Sequence, residues 1–228
     1  MTLPPPTTTT VISSKTYLNL TPTELSTLQL RVYRHTRQAP VQESVLQTFV
    51  DLANASFTGA YHDENFGRDK PRYNSVEVLK DDLDPLEEGQ GEGEAVEGAK
   101  ITFSGYRMDC GPSLHTSPNP LYQPPPTYPP SIFYLGALGT ITPTTGPLLL
   151  SHIKSYLSSL TPNYVLKAYT VAEWGINPTF TIPRESPLVR FFEKQGFNVV
   201  DYAWKPKGTW GSFFGGCLCS IEYVHASA

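Results

Sequence analysis

The segment SIFYLGALGTITPTTGPLLLSHIKSYLSSL, residues 131–160, constrains the fold more than any other part of the chain. Its opening run, SIFYLGALGTI, is almost wholly apolar, the pattern of a central strand buried on both faces. After a short turn, Pro147 suits the first turn of a helix, and Leu148, Leu149, Ile153, Tyr156, Leu157 and Leu160 fall on one stripe. A strand feeding a helix in this way aims free N–H groups past the end of a sheet, the geometry that binds phosphate. The turn itself, residues 142–147, is poor in the usual phosphate ligands. It holds one glycine, Gly146, and no Lys or Arg, and Pro147 has no N–H to give.

Further strands are expected at 27–37, where Leu28, Leu30 and Val32 alternate with polar residues, and at 99–108, 164–174, 198–205 and 216–226. Residues 39–57 carry Val41, Val45, Leu46, Phe49, Val50, Leu52 and Ala53 at helical spacing. Residues 72–83 form a shorter helix with Asn74 or Ser75 as its cap. In SPLVRFFEKQGF, residues 186–197, Ser186 caps, Pro187 starts and Gly196 stops a compact helix. Strands and helices alternating over the last hundred residues give an α/β (α+β) domain with a mixed sheet. At 228 residues the chain suits one domain over 15–228, with a flexible tail at 1–14.

Two loops stand apart. Residues 81–98 hold eight carboxylates and no base, and are expected to lack the apolar surface needed to order themselves. Residues 112–130 form a Pro-rich excursion, read as an exposed insertion between strands. Either loop offers a surface to a protein partner. The net charge is −4, so without the acidic loop the body is mildly basic, as suits an anionic ligand. No basic stripe points to nucleic acid, and no apolar run is long enough for a membrane helix. MTLPPPTTTT lacks the basic and apolar regions of a signal peptide, so a cytoplasmic or nuclear protein is expected. Cys110, Cys217 and Cys219 are too few for a disulfide framework, and no metal-ligand spacing is present.

The stretch ESPLVRFFEKQGFNVVDY, residues 185–202, resembles the last helix and following strand of the GCN5-related N-acetyltransferase (GNAT) superfamily, where a helix carrying FYEKxGF runs into the sixth strand. YLGALGTITP, residues 134–143, resembles that family's fourth strand, and LANASF, residues 52–57, the end of its first helix. The resemblance spans roughly residues 28–80 and 131–225. It implies a mixed central sheet flanked by helices, with the fourth and fifth strands splayed around acetyl-CoA, used as cosubstrate. Main-chain groups of Leu138, Gly139, Thr140 and Ile141 would hold the pantetheine arm, and Thr145 and Gly146 the pyrophosphate. Glu173, ending the fifth-strand candidate, would be the general base, and Tyr61 and His62 in the expected substrate loop GAYHDENF would line the site of a small amine or peptide amine.

Two departures are visible. The loop before the helix lacks the family's Q/R-x-x-G-x-G/A form, leaving Lys154, Lys205 and Lys207 as bases that could compensate. The tyrosine that often serves as general acid is Phe192, which has no proton to donate; Tyr134, Tyr169 or a water would replace it, or the thiolate would leave unaided. The competing reading is a non-catalytic GNAT-like binding module with a degenerate CoA site.

Overall fold

A computed structural model of the chain describes residues 32–35, 39–57, 60–67, 70–83, 93–96, 99–103, 113–127, 129, 131–138, 145–175 and 186–226. The tail at 1–14, Cys110 and most of the acidic loop lie outside these. Helix α1 (Glu43–Ser56), α2 (Ala60–Phe66) and α3 (Val76–Leu83) follow strand β1 (Val32–His35). Then come β2 (Gly93–Val96), β3 (Ala99–Phe103), β4 (His115–Pro118), β5 (Ser131–Leu138), α4 (Thr145–Leu160) and β6 (Asn163–Trp174). Helix α5 (Pro187–Lys194), β7 (Asn198–Lys205) and β8 (Gly216–Ala226) close the order. The strands form one mixed sheet in the order β1-β2-β3-β5-β6-β8-β7-β4.

The apolar run at 131–138 is a central strand, but not one buried alike on both faces. Phe133 and Leu135 are buried, whereas Ile132, Tyr134 and Gly136 are half-buried. The buried pair faces the main core. Leu150, Ile153 and Leu157 of α4, Val189 and Phe192 of α5, Leu166 of β6, and Cys219 and Ile221 of β8 meet there. Along α4, Leu150, Ile153 and Leu157 have no exposed surface. Truncating any one to alanine would cost about 2–5 kcal/mol. A second, smaller core joins Leu46 and Val50 of α1 to Tyr73 and to Val76, Leu79 and Leu83 of α3.

Local signals explain the helices. Ser186 Oγ accepts from the Val189 N–H at 3.1 Å and donates to the Val171 carbonyl at 3.1 Å, so one hydroxyl caps α5 and ties it to β6. Gly196, with φ +81°, ends that turn in the left-handed region open to glycine. Ser75, rather than Asn74, caps α3, its Oγ accepting from the Val78 N–H at 3.4 Å.

Three expectations need correction. Gly93–Val96, inside the acidic loop, is a strand, ordered by pairing with β1 on one side and β3 on the other. His115–Pro118, inside the Pro-rich excursion, pairs with β7 and forms the sheet edge. GAYHDENF is largely the helix α2, not a loop.

The Pro-rich segment is also tied down beyond its strand. Asn119 donates from Nδ2 to the Val199 carbonyl at 2.7 Å. The Tyr122 hydroxyl donates to Glu222 Oε1. Glu222, on β8, is 1% exposed, and burial pushes its carboxyl up to about 7 from an ordinary 4.5. The Lys167 ammonium, 3.8 Å from Oε2 and partly in solvent, does not offset that burial. A carboxyl whose value is raised by folding contributes stability that is full below pH 4.5 and is lost as pH rises through about 7. Urea unfolding at several pH values should show wild type losing stability across that window relative to Glu222→Gln, which has no proton to lose. A difference between the two proteins that does not change with pH would refute the assignment.

Candidate functional site

The parallel ladder between β5 and β6 runs from Ser131–Tyr164 to Leu135–Ala168 and stops. Both strands continue, β5 to Leu138 and β6 to Trp174, each paired only with its outer neighbour. The facing main-chain groups of 136–138 and 169–174 are therefore left without a partner strand across the gap. The ladder thus leaves a notch in the middle of the sheet.

Bulges on both sides account for the opening. Between the pairs Ala99–Leu138 and Ile101–Leu135, β5 has one residue more than β3. Between Val171–Leu218 and Glu173–Cys217, β6 has one residue more than β8. An extra residue bends its strand and increases the local twist, so each strand turns with its outer neighbour rather than with the other. The second bulge also re-aims a side chain. With a strict period of two, Glu173 would point to the face of Val171. The added residue puts it in register with Cys217, which belongs to the α4–α5 core. Glu173 is half-buried beside this thiol, which burial and the Glu173 charge push up to about 12. Burial raises the Cys219 thiol too, so both cysteines are inert packing groups, and no metal-binding cluster occurs among the described residues.

Helix α4 begins at Thr145, and its first turn lies against Phe191 of α5, the helix tied to β6 at Val171. Thr145 is half-buried and Gly146 buried. Gly146 has a packing reason to be glycine. A Cβ there would meet the Phe191 ring of α5 at 3.1 Å and 3.3 Å. The close approach of α5 thus depends on Gly146, whatever α4 binds. Leu138 is half-buried at the end of β5; Gly139, Thr140 and Ile141 lie outside the described residues.

None of the three compensating lysines is shown at the start of α4. Lys154 is nine residues along, roughly 13 Å by the helical rise. It donates to the Gln195 carbonyl and sits 3.9 Å from the Tyr223 ring centroid, and burial lowers its value. Lys205 is buried and donates to Ser113 Oγ at 2.9 Å. Lys207 is exposed on the β7–β8 connection. Phe192 is buried against Phe197 and Phe191, a core residue as its phenyl ring requires. Tyr134 and Tyr169 are half-buried on the face opposite the α4–α5 core. Tyr61 and His62 lie on α2, where the His62 ring stacks on Phe66 at 5.2 Å and Nδ1 is 3.9 Å from Asp63.

Helix α2 meets the connection between β7 and β8, a contact that periodicity in the sequence does not reveal. The Phe213 N–H donates to the Asn65 carbonyl at 2.7 Å, and the Phe213 ring lies over Gly67. That connection leaves β7 at Lys205 and re-enters β8 at Gly216, which pairs with both Lys205 and Trp174. It therefore stands at the same end of the sheet as the notch.

No protein-family model matches the chain, and no curated protein matches it. Solved structures similar to it include the ribosomal-protein-S18-alanine N-acetyltransferase of Escherichia coli. That overlay has 9% identity and a TM-score of 0.43, covering 88% of this chain and 96% of the other. The aminoglycoside 6'-N-acetyltransferase of Enterococcus faecium is similar at 11% identity and a TM-score of 0.42, over 87% of this chain and 98% of the other. A putative GNAT-family acetyltransferase of Desulfovibrio desulfuricans is similar at 14% identity and a TM-score of 0.38, over 86% and 99%.

The contact between Gly146 and Phe191 gives a direct test. Alanine is the better helix former by up to about 1 kcal/mol, but its methyl must displace the ring. Gly146→Ala should be less favourable in wild type than in a Phe191→Leu background, with a coupling of about 0.5–1 kcal/mol in urea unfolding. Additive effects would show that the ring does not dictate the glycine.

Proposed function

We propose that this protein is a divergent GNAT-type acyltransferase that moves an acetyl group from acetyl-CoA to an amine. One observation carries the reading: the β5–β6 ladder ends at Leu135–Ala168 while both strands continue. Main-chain groups left open in this way accept an extended chain as an added strand, and the pantetheine arm, with its two amides, is such a chain. The residues suit the group. Leu138, with Gly139, Thr140 and Ile141 following it, would pair with the arm. The N–H groups of Thr145 and Gly146 would face the pyrophosphate, favoured by the positive end of α4. Pro147 contributes no donor, so this cradle is weaker than one with a full set.

Glu173 is the proposed general base, on the strand that borders the notch. Its carboxylate takes the proton from the acceptor ammonium, directly or through a water. The free amine then attacks the thioester carbonyl carbon, the carbon–sulfur bond breaks, and the sulfur leaves as thiolate or takes a proton from solvent. The amine's second proton passes to solvent as the amide forms. No covalent enzyme intermediate is involved. A water or Tyr169 would supply the acid that Phe192 lacks. The acceptor is a small amine or a peptide amine, bound between α2, with Tyr61 and His62, and the β7–β8 connection.

A second reading, a binding module that has lost transfer, draws on Phe192 in the core and on the engagement of Lys154. Calorimetry separates the two. Acetyl-CoA should bind the folded protein, and Glu173→Gln should lower kcat by about 10²–10⁴ while leaving that binding in place. A folded protein that takes up no acetyl-CoA at millimolar ligand would rule out the enzyme and leave the module.

A further inference from the structure

Arg72 lies outside the groups used for transfer, yet its surroundings are specific. The guanidinium carbon sits 5.6 Å from the Phe57 ring centroid, 5.6 Å from that of Tyr73 and 5.8 Å from that of Trp210. All three are within cation–π range. Its Nε is buried and has no hydrogen-bond partner. Among the described residues no carboxylate pairs with it.

Its position is fixed from several sides. Asn54, near the end of α1, clamps the next residue: its Nδ2 donates to the Tyr73 carbonyl at 3.0 Å and its Oδ1 accepts from the Tyr73 N–H at 2.9 Å. Two residues before Arg72, Lys70 Nζ donates to the Gly211 carbonyl at 3.1 Å. Trp210 is held at φ +53°, a left-handed conformation that non-glycine residues rarely adopt. The rings engage the guanidinium, while its donors lie in the guanidinium plane. With Nε buried, the two terminal nitrogens are the pair left open, and side by side they match a carboxylate through two parallel hydrogen bonds. Trp210, with Phe213 and Phe214 following it on the same connection at the notch end of the sheet, leaves aromatic surface exposed, at 37%, 48% and 49%.

We infer that Arg72 binds the carboxylate of the acyl acceptor, and that the acceptor is an amino acid with an apolar or aromatic side chain. The carboxylate meets the Arg72 fork, the side chain meets the exposed rings, and the α-amine remains for transfer. The inference rests on the transfer reading only in taking this ligand as the acceptor; binding of the carboxylate stands by itself.

Calorimetry on the full chain tests it with L-phenylalanine and L-phenylalanine amide as probes, which differ in the carboxylate. The acid should bind about tenfold or more tighter than the amide, as two charge-assisted bonds require. Arg72→Gln should abolish the preference. Arg72→Lys, which keeps the charge without the fork, should lose most of it while still melting as a folded protein. The inference is overturned if wild type binds neither probe, if it binds both equally, or if the preference survives in a folded Arg72→Lys. Acetyl-CoA titrated in parallel keeps the two proposals apart. A preference for the acid without acetyl-CoA binding retains the carboxylate site and removes the transfer reading.

Discussion

The functional architecture depends on one missing interaction, the pairing that β5 and β6 abandon after Leu135 and Ala168. Main-chain N–H and C=O groups in the middle of a sheet are costly to leave unpaired, at about 1–3 kcal/mol for each buried group. A sheet does not open there unless something bends the strands apart. Here each of the two strands carries one extra residue against its outer neighbour, β5 between Leu135 and Leu138 and β6 between Val171 and Glu173. The opening is thus written into strand length. Everything proposed for the site follows from it: an edge for an extended ligand arm, a helix N-terminus beyond that edge, and a carboxylate turned by the bulge.

The rest of the fold holds those two strands where they are. On one face α4 and α5 pack over the paired half of the β5–β6 ladder, with Leu150, Ile153, Leu157, Val189 and Phe192 buried there. Gly146 lets α5 approach the first turn of α4, and Ser186 ties α5 to β6 at Val171, the residue before the bulge. A short helix with one buried stripe therefore fixes both the first turn of α4 and the end of β6 that carries Glu173. At the same end of the sheet, the β7–β8 connection is pinned to α2 and to Lys70. That contact joins the smaller helical layer to the sheet through hydrogen bonds and through the Arg72 guanidinium against the Trp210 ring.

Much of this was legible in the sequence, for identifiable reasons. Helix α5 announced itself through Ser186, Pro187 and Gly196, residues whose local chemistry fixes a start and a stop. The central strand and α4 were read from hydrophobic spacing, and both lie where that spacing put them. Strand β2 was invisible because GEAV has little strand preference of its own; two neighbouring strands order it. Helix α2 is seven residues long, too short for periodicity to speak. The bulges were hidden as well, since a single added residue changes facing without changing composition. Lys154 looked available for an anion because its partners, Gln195, Phe197 and Tyr223, are distant in sequence. For the same reason nothing local in the sequence marks Arg72: its cage is assembled from three separate segments.

The notch itself is the claim on which the functional reading turns, and main-chain hydrogen exchange reads it directly. With acetyl-CoA added, amides within 136–138 and 169–174 should become more protected, as groups that gain a partner must, while the already paired amides of 131–135 change little. Acetyl-CoA that leaves exchange in both open segments untouched would contradict the account.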